Sequence, residues 1–103
     1  MPVKSIKLTK HDEYVLELCR LISENYDTIR THIPIINSKR RTIAEIDVLA
    51  KKGEDIDIFE VKCSHRPFKA RRQLSRLKRI LKDQINHSYF YCGSSHKLMT
   101  MEE

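Results

Sequence analysis

The sequence predicts a single α/β domain with the element order αβββαβ, its mixed four-stranded sheet flanked by helices. Three observations carry this. Two runs with helical apolar spacing, at residues 9–25 and 67–85, bracket runs rich in β-branched residues. "KGED" between two isoleucine- and valine-rich runs is a hairpin signal. The strands on either side of the second helix make a βαβ unit, which pairs in parallel, so the sheet is mixed.

The first helix opens at Thr9, a good N-cap, and runs to about Asn25, with Tyr14, Val15, Leu18, Leu21 and Ile22 as one buried stripe. "TIRTHIPIIN", residues 28–37, is rich in β-branched residues, and Pro34, which cannot donate to a ladder, assigns it to a sheet edge. "SKRR" turns the chain into a second strand from about Ile43 to Ala50, and a third runs from about Asp55 to Cys63. Pro67 suits the first turn of the second helix, where Leu74, Leu77, Leu81 and Ile85 continue a stripe. "HSYFYCG", residues 87–93, is an aromatic strand ended by Gly93, with Tyr89, Phe90 and Tyr91 in the sheet core rather than on a base-stacking surface. Residues 1–9 and 97–103 are expected to fray.

With 103 residues the chain can build one modest core, and its net charge of +6 favours a polyanionic partner, nucleic acid first. Cys19, Cys63 and Cys92 are isolated from one another, so neither a paired disulfide framework nor a CxxC metal site can be read from them, which points to a reducing compartment. No apolar run approaches the roughly 18–20 residues of a membrane span, and "MPVKSIKLTK" lacks the apolar stretch of a signal peptide. The expectation is a soluble, intracellular, cytoplasmic protein with no membrane partner. Histidines at 11, 32, 65, 87 and 96 show no metal-ligand spacing and read as structural or surface residues. His65, just after the third strand, is set apart from them.

The chemistry lies in "EIDVLAKKGEDIDIFEVK", residues 45–62. If the hairpin turns on Gly53 and Glu54, a pair suited to a type II′ turn, Asp47 falls opposite Glu60 and Glu45 opposite Lys62. All four then share one face, with Ile46, Val48, Phe59 and Val61 on the other. Opposed carboxylates repel, a cost that a divalent cation between them removes, and hard oxygen ligands suit magnesium or manganese. Glu45 is a further candidate ligand, and Lys62 supplies a fixed positive charge beside the metal. The competing reading is a solvated strand face with a Glu45–Lys62 ion pair worth under about 1 kcal/mol. A one-residue slip in register would separate the two sets of charges.

Between Lys62 and Lys82 there are nine basic residues and no acidic one. A helix with one apolar stripe and that charge elsewhere is a candidate phosphate track, with Arg66, Lys69, Arg72 and Arg76 the leading contacts. Arg40 and Arg41 in "SKRR" form a candidate second patch. The competing reading, an ordinary solvated helix face, usually comes with mixed signs.

Asp47, a hairpin, then Glu60-Val61-Lys62, in the order αβββαβ, resembles the PD-(D/E)XK nuclease superfamily. "AEIDVLA" followed by "IFEVKCS" is most similar to archaeal Holliday junction resolvases and small resolvase-like endonucleases, over roughly residues 11–93. The resemblance implies a restriction-endonuclease-like core and metal-dependent hydrolysis of DNA, duplex or branched. It makes Asp47, Glu60 and the Val61 carbonyl ligands of magnesium or manganese. Lys62 becomes the residue that orients or activates water, Glu17 rather than Glu13 a helix glutamate near the metal, and Gln73 a supporting helix residue. Ile46 replaces the proline of the motif name, and the glycine that often opens the first helix is missing. A symmetric homodimer would span a duplex or junction more easily than one small domain. Two alternatives stay open: a nucleic-acid-binding module that retains the nuclease fold without catalysis, and a subunit whose basic helix docks on an acidic protein.

Overall fold

The computed structural model describes residues 7–102. Along it run α1 (Lys10–Ile22), β1 (Thr28–Ile36), β2 (Thr42–Lys52), β3 (Asp55–Lys62), α2 (Pro67–Leu81), β4 (His87–Cys92) and β5 (Lys97–Thr100), with a short 3-10 turn after each helix. The strands form one sheet in the order β1-β2-β3-β4-β5, parallel between β3 and β4 and antiparallel elsewhere. Pro34 lies on the edge strand, as a residue without an N–H requires. The hairpin takes the expected register, with Lys52 opposite Asp55 and Val48 opposite Phe59. Gly53 has φ of +59°, and Glu54 is not among the positive-φ residues, as a type II′ turn demands.

The sheet is sandwiched between the helices. Val15, Leu18 and Ile22 of α1 bury themselves against Val48, Ala50, Phe59, Val61 and Tyr91, while Ala70, Leu74 and Leu77 of α2 cover Ile46, Ile58, Phe90 and Cys92. Burying each large aliphatic side chain is worth about 1.5–3 kcal/mol, so these stripes hold both helices in place. Phe90 and Tyr91 are fully buried, and Tyr89 stacks on Phe59 with ring centroids 4.9 Å apart. Gly93 is required by packing, since a Cβ there would stand 2.2 Å from Cδ2 of Tyr14.

Four expectations are corrected. The sheet has five strands, because Lys97–Thr100 pairs antiparallel with the free edge of β4. The C-terminal segment is therefore held rather than frayed: Met101 joins the α2-side core, and Glu102 accepts hydrogen bonds from His87 Nδ1 and the Ser88 N–H. At the other end Thr9 and Asp12 close a capping box on α1. The fraying expected of residues 1–6 and 103 falls outside the described residues. Leu21 is 60% exposed, because the stripe that meets the sheet runs through 15, 18 and 22 and leaves it on the flank.

The fourth correction concerns Ile46, which packs on the α2 side although Val48, two residues on, packs on the α1 side. The β2–β3 ladder closes at Val48 and Phe59. Beyond that point Thr42–Asp47 pairs with β1 alone, and Glu60–Lys62 pairs with β4 alone. The sheet forks here, and the arm formed by β1 and β2 turns over. Along β1, Ile29 packs on the α1 side and Ile33 and Ile35 on the α2 side, with His32 at φ +52° between them.

Candidate active site

The fork leaves the backbone of Val61 without the partner that a continued register would supply in Ile46, and side chains take its place. The Val61 N–H donates to Asp47 Oδ2 at 2.9 Å, and His11 Nε2–H donates to the Val61 carbonyl, also at 2.9 Å. The same imidazole nitrogen lies 3.4 Å from Asp47 Oδ2. Buried backbone groups need partners, so Asp47 and His11 together stabilise the parting of the strands at the point where the carboxylates cluster.

Asp47 and Glu60 are both buried, on opposite arms of the fork, and near enough for the charge of Asp47 to act on Glu60. Burial, then the negative charge of Asp47, pushes the Glu60 carboxyl up to about 8, against the pull of Lys62. The Lys62 ammonium lies 3.2 Å from Glu60 Oε1 and is itself largely covered. Asp47, Glu60 and Lys62 thus meet in one place, through a fork rather than across a continuous ladder. The cross-strand ion pair considered for Glu45 and Lys62 does not form: Lys62 pairs with Glu60, and Glu45 lies 3.2 Å from His32 Nδ1.

Glu17 is occupied elsewhere. Its carboxylate accepts from the Tyr91 hydroxyl and lies 2.9 Å from His96 Nδ1, and the Tyr91 hydrogen bond is the main cause that holds it below the usual glutamate range. The place on α1 next to Asp47 belongs to His11, about 9 Å back along the helix at 1.5 Å per residue. His11 is the site residue that sequence reasoning missed. A signal for it was present: His11 continues the buried stripe of Val15, Leu18 and Ile22 at helical spacing. His65 is exposed, with its ring 6.2 Å from that of Phe90.

Gln73 and Arg76 of α2 line a hollow with Glu45, Ile43 and Ala44. It continues into an open groove of about 540 Å³ that adds Lys69, Arg72 and Arg79. Arg66 is exposed at the start of α2. Arg40, at φ +62°, and Arg41 sit in an exposed turn between β1 and β2 whose backbone is organised by Asn37.

Among the described residues, no group of three or more His, Cys, Asp or Glu side chains is arranged to hold a metal ion. The oxygen donors present are two buried carboxylates and a backbone carbonyl in contact with His11. That set does not make an all-protein cage. Two carboxylates and a carbonyl are the kind of partial oxygen set that a magnesium-class ion, which keeps waters and also takes phosphate oxygens, would use. No described helix is long and apolar enough to cross a membrane.

No family model and no curated protein matches the chain. Among solved structures it is similar to AF1548, a protein of unknown function, with a TM-score of 0.60 and 17% identity over 82% of this chain. The match takes in 47% of that protein, so the chain spans about half its length. It is also similar to a chain of the EndoMS-dsDNA2 complex, with a TM-score of 0.48 and 19% identity over 88% of this chain and 39% of that one. The likeness to AF1548 is one of fold. The arrangement seen here, two helices about a five-stranded mixed sheet, is consistent with a restriction-endonuclease-like α/β core.

Proposed function

We propose that the protein is a divalent-metal-dependent endonuclease that hydrolyses DNA phosphodiester bonds. The observation that carries this reading is the buried meeting of Asp47, Glu60 and Lys62 at a fork in the sheet. Two like charges brought together out of water are poor structural material and good cation ligands. Asp47 and Glu60 would hold magnesium or manganese, with the Val61 carbonyl as a further donor once His11 releases it. When bound, the cation polarises a phosphate oxygen and makes a water more acidic.

The chain's own residues do the rest. The Lys62 ammonium, fixed by Glu60, adds positive charge where negative charge develops at phosphorus, and it orients the attacking water. Lys69, Arg72 and Arg76 hold backbone phosphates along α2 with little regard for sequence. Gln73, beside Glu45, supports the β2 side of the site. A symmetric homodimer would set two such sites across a duplex or junction, which sedimentation velocity with and without DNA tests.

The decisive experiment is cleavage of labelled four-way junction, duplex and single-stranded DNA in magnesium, manganese or EDTA, comparing wild type with Lys62→Ala. Metal-dependent cleavage that the variant loses is expected. A second reading, a non-catalytic nucleic-acid-binding module that retains the fold, is favoured by one observation: the Val61 carbonyl and Lys62 are both satisfied within the protein. Tight binding with no cleavage in any metal would establish it instead.

A further inference from the structure

We infer that Phe68 is a stacking platform for an unpaired base, so that the ligand class is nucleic acid presenting an unstacked nucleotide. The inference deepens the nuclease reading, on which its relevance to substrate choice rests. Phe68 is 81% exposed, well beyond the other exposed large apolar side chains, of which Leu21 at 60% is next. A single exposed apolar residue is ordinary. Its surroundings are not: Phe68 lies in a hollow of about 320 Å³ lined by His65, Arg66, Pro67, Lys69 and Arg72, with no acidic residue. An apolar ring among cations suits a ligand that carries both a flat π-face and a phosphate, which is a nucleotide.

The hollow is also continuous with the proposed phosphate track. Lys69 and Arg72 line both it and the groove along α2, and that groove shares Gln73 and Arg76 with the hollow containing Glu45. Phe68 follows Lys62 by six residues, so the chain itself keeps its Cα within about 22 Å of that of Lys62. A strand laid along α2 with its phosphates on the arginines would bring a base onto Phe68 only where that base is free of its own stack. Paired duplex would leave the ring uncovered.

The test is binding in EDTA at fixed salt, read by fluorescence anisotropy, for wild type, Phe68→Ala and Phe68→Trp. Probes are a single-stranded oligonucleotide, the same oligonucleotide with its bases replaced by abasic sites, and a paired duplex. Phe68→Ala is expected to weaken the base-bearing single strand by roughly 5- to 100-fold, as loss of one base stack does, and to leave abasic and duplex binding within about twofold. Phe68→Trp is expected to restore it. Equal loss on all probes, no loss, or a wild type that binds none of them would overturn the inference. Cosedimentation with phosphatidylserine vesicles is run alongside, and a Phe68→Ala defect confined to it would also overturn the inference by making the patch a membrane contact. The binding arms are read without cleavage, so the two readings fail separately: base stacking by a protein that does not cut DNA in the cleavage assay refutes the nuclease reading alone, and cutting with unaltered Phe68→Ala binding refutes this one alone.

Discussion

The Lys62 ammonium lies 3.2 Å from the Glu60 carboxyl two residues back on the same strand, yet the Glu60 carboxyl is still pushed up to about 8. Burial and Asp47 together outweigh one lysine.

Stability of the metal-free protein is therefore expected to depend on pH in an unusual sense for a carboxylate. Glu60 has a folded value of about 8 against an ordinary 4.5, so the native state binds the extra proton between those limits. Its contribution is fully present below about 4.5 and is lost as pH rises through about 8, with a slope of at most about 1.4 kcal/mol per pH unit. Urea titrations across that window should show this fall, and Glu60→Gln should flatten it. A wild-type curve that rises over the same range would refute the assignment.

Asp47 has two jobs that substitution can separate. Asparagine keeps an oxygen to accept the Val61 N–H and removes the charge that opposes ionisation of Glu60; alanine removes both. Asp47→Asn should be more stable than Asp47→Ala by about 1–3 kcal/mol, the cost of orphaning a buried N–H. Both should abolish any metal-dependent cleavage. Equal stability of the two by denaturant midpoint would mean that the Val61 bond contributes nothing.

Each phosphate contact on α2 should appear in the salt dependence of DNA binding. Arg72→Ala and Arg76→Ala are each expected to lower the slope of log K against log salt by about 1, with the same loss on unrelated sequences. A sequence-selective loss would assign the arginine to base recognition instead.

On α1, Leu18→Ala should cost about 2–5 kcal/mol, because the side chain is fully buried, whereas Leu21→Ala should stay within about 0.5 kcal/mol. Thermal or chemical denaturation separates the two at once.

That contrast also marks what the sequence could disclose. Leu21 and Leu18 fit the same helical stripe, and only the tilt of α1 on the sheet tells them apart. Pro34, Pro67 and the Gly53-Glu54 turn were legible because each acts through its own backbone: a missing N–H, a fixed φ, a positive φ. Hairpin pairing followed from that turn as far as Val48 and Phe59, whereas Asp47 and Glu60, expected as a direct cross-strand pair, meet just beyond the end of the ladder. The fork was not legible, since pairing rules extend a ladder indefinitely and say nothing of side chains that take over its hydrogen bonds. His11 fits the buried stripe at helical spacing, but its partner, the Val61 carbonyl, belongs to the backbone, so nothing in the sequence tied that position to the site. Four residues of β5 were too few to register apart from the edge they complete.

The two edges of the sheet bear on how copies of this chain meet. On β1, Pro34 offers no N–H and His32 bends the strand at φ +52°; on the far side β5 is only four residues long. Neither presents the long, flat row of free amides and carbonyls on which a neighbour's strand could lengthen the sheet. Strand-by-strand polymerisation and fibril templating are thereby discouraged at both ends, and any pairing of two molecules falls to their helices and charged surfaces.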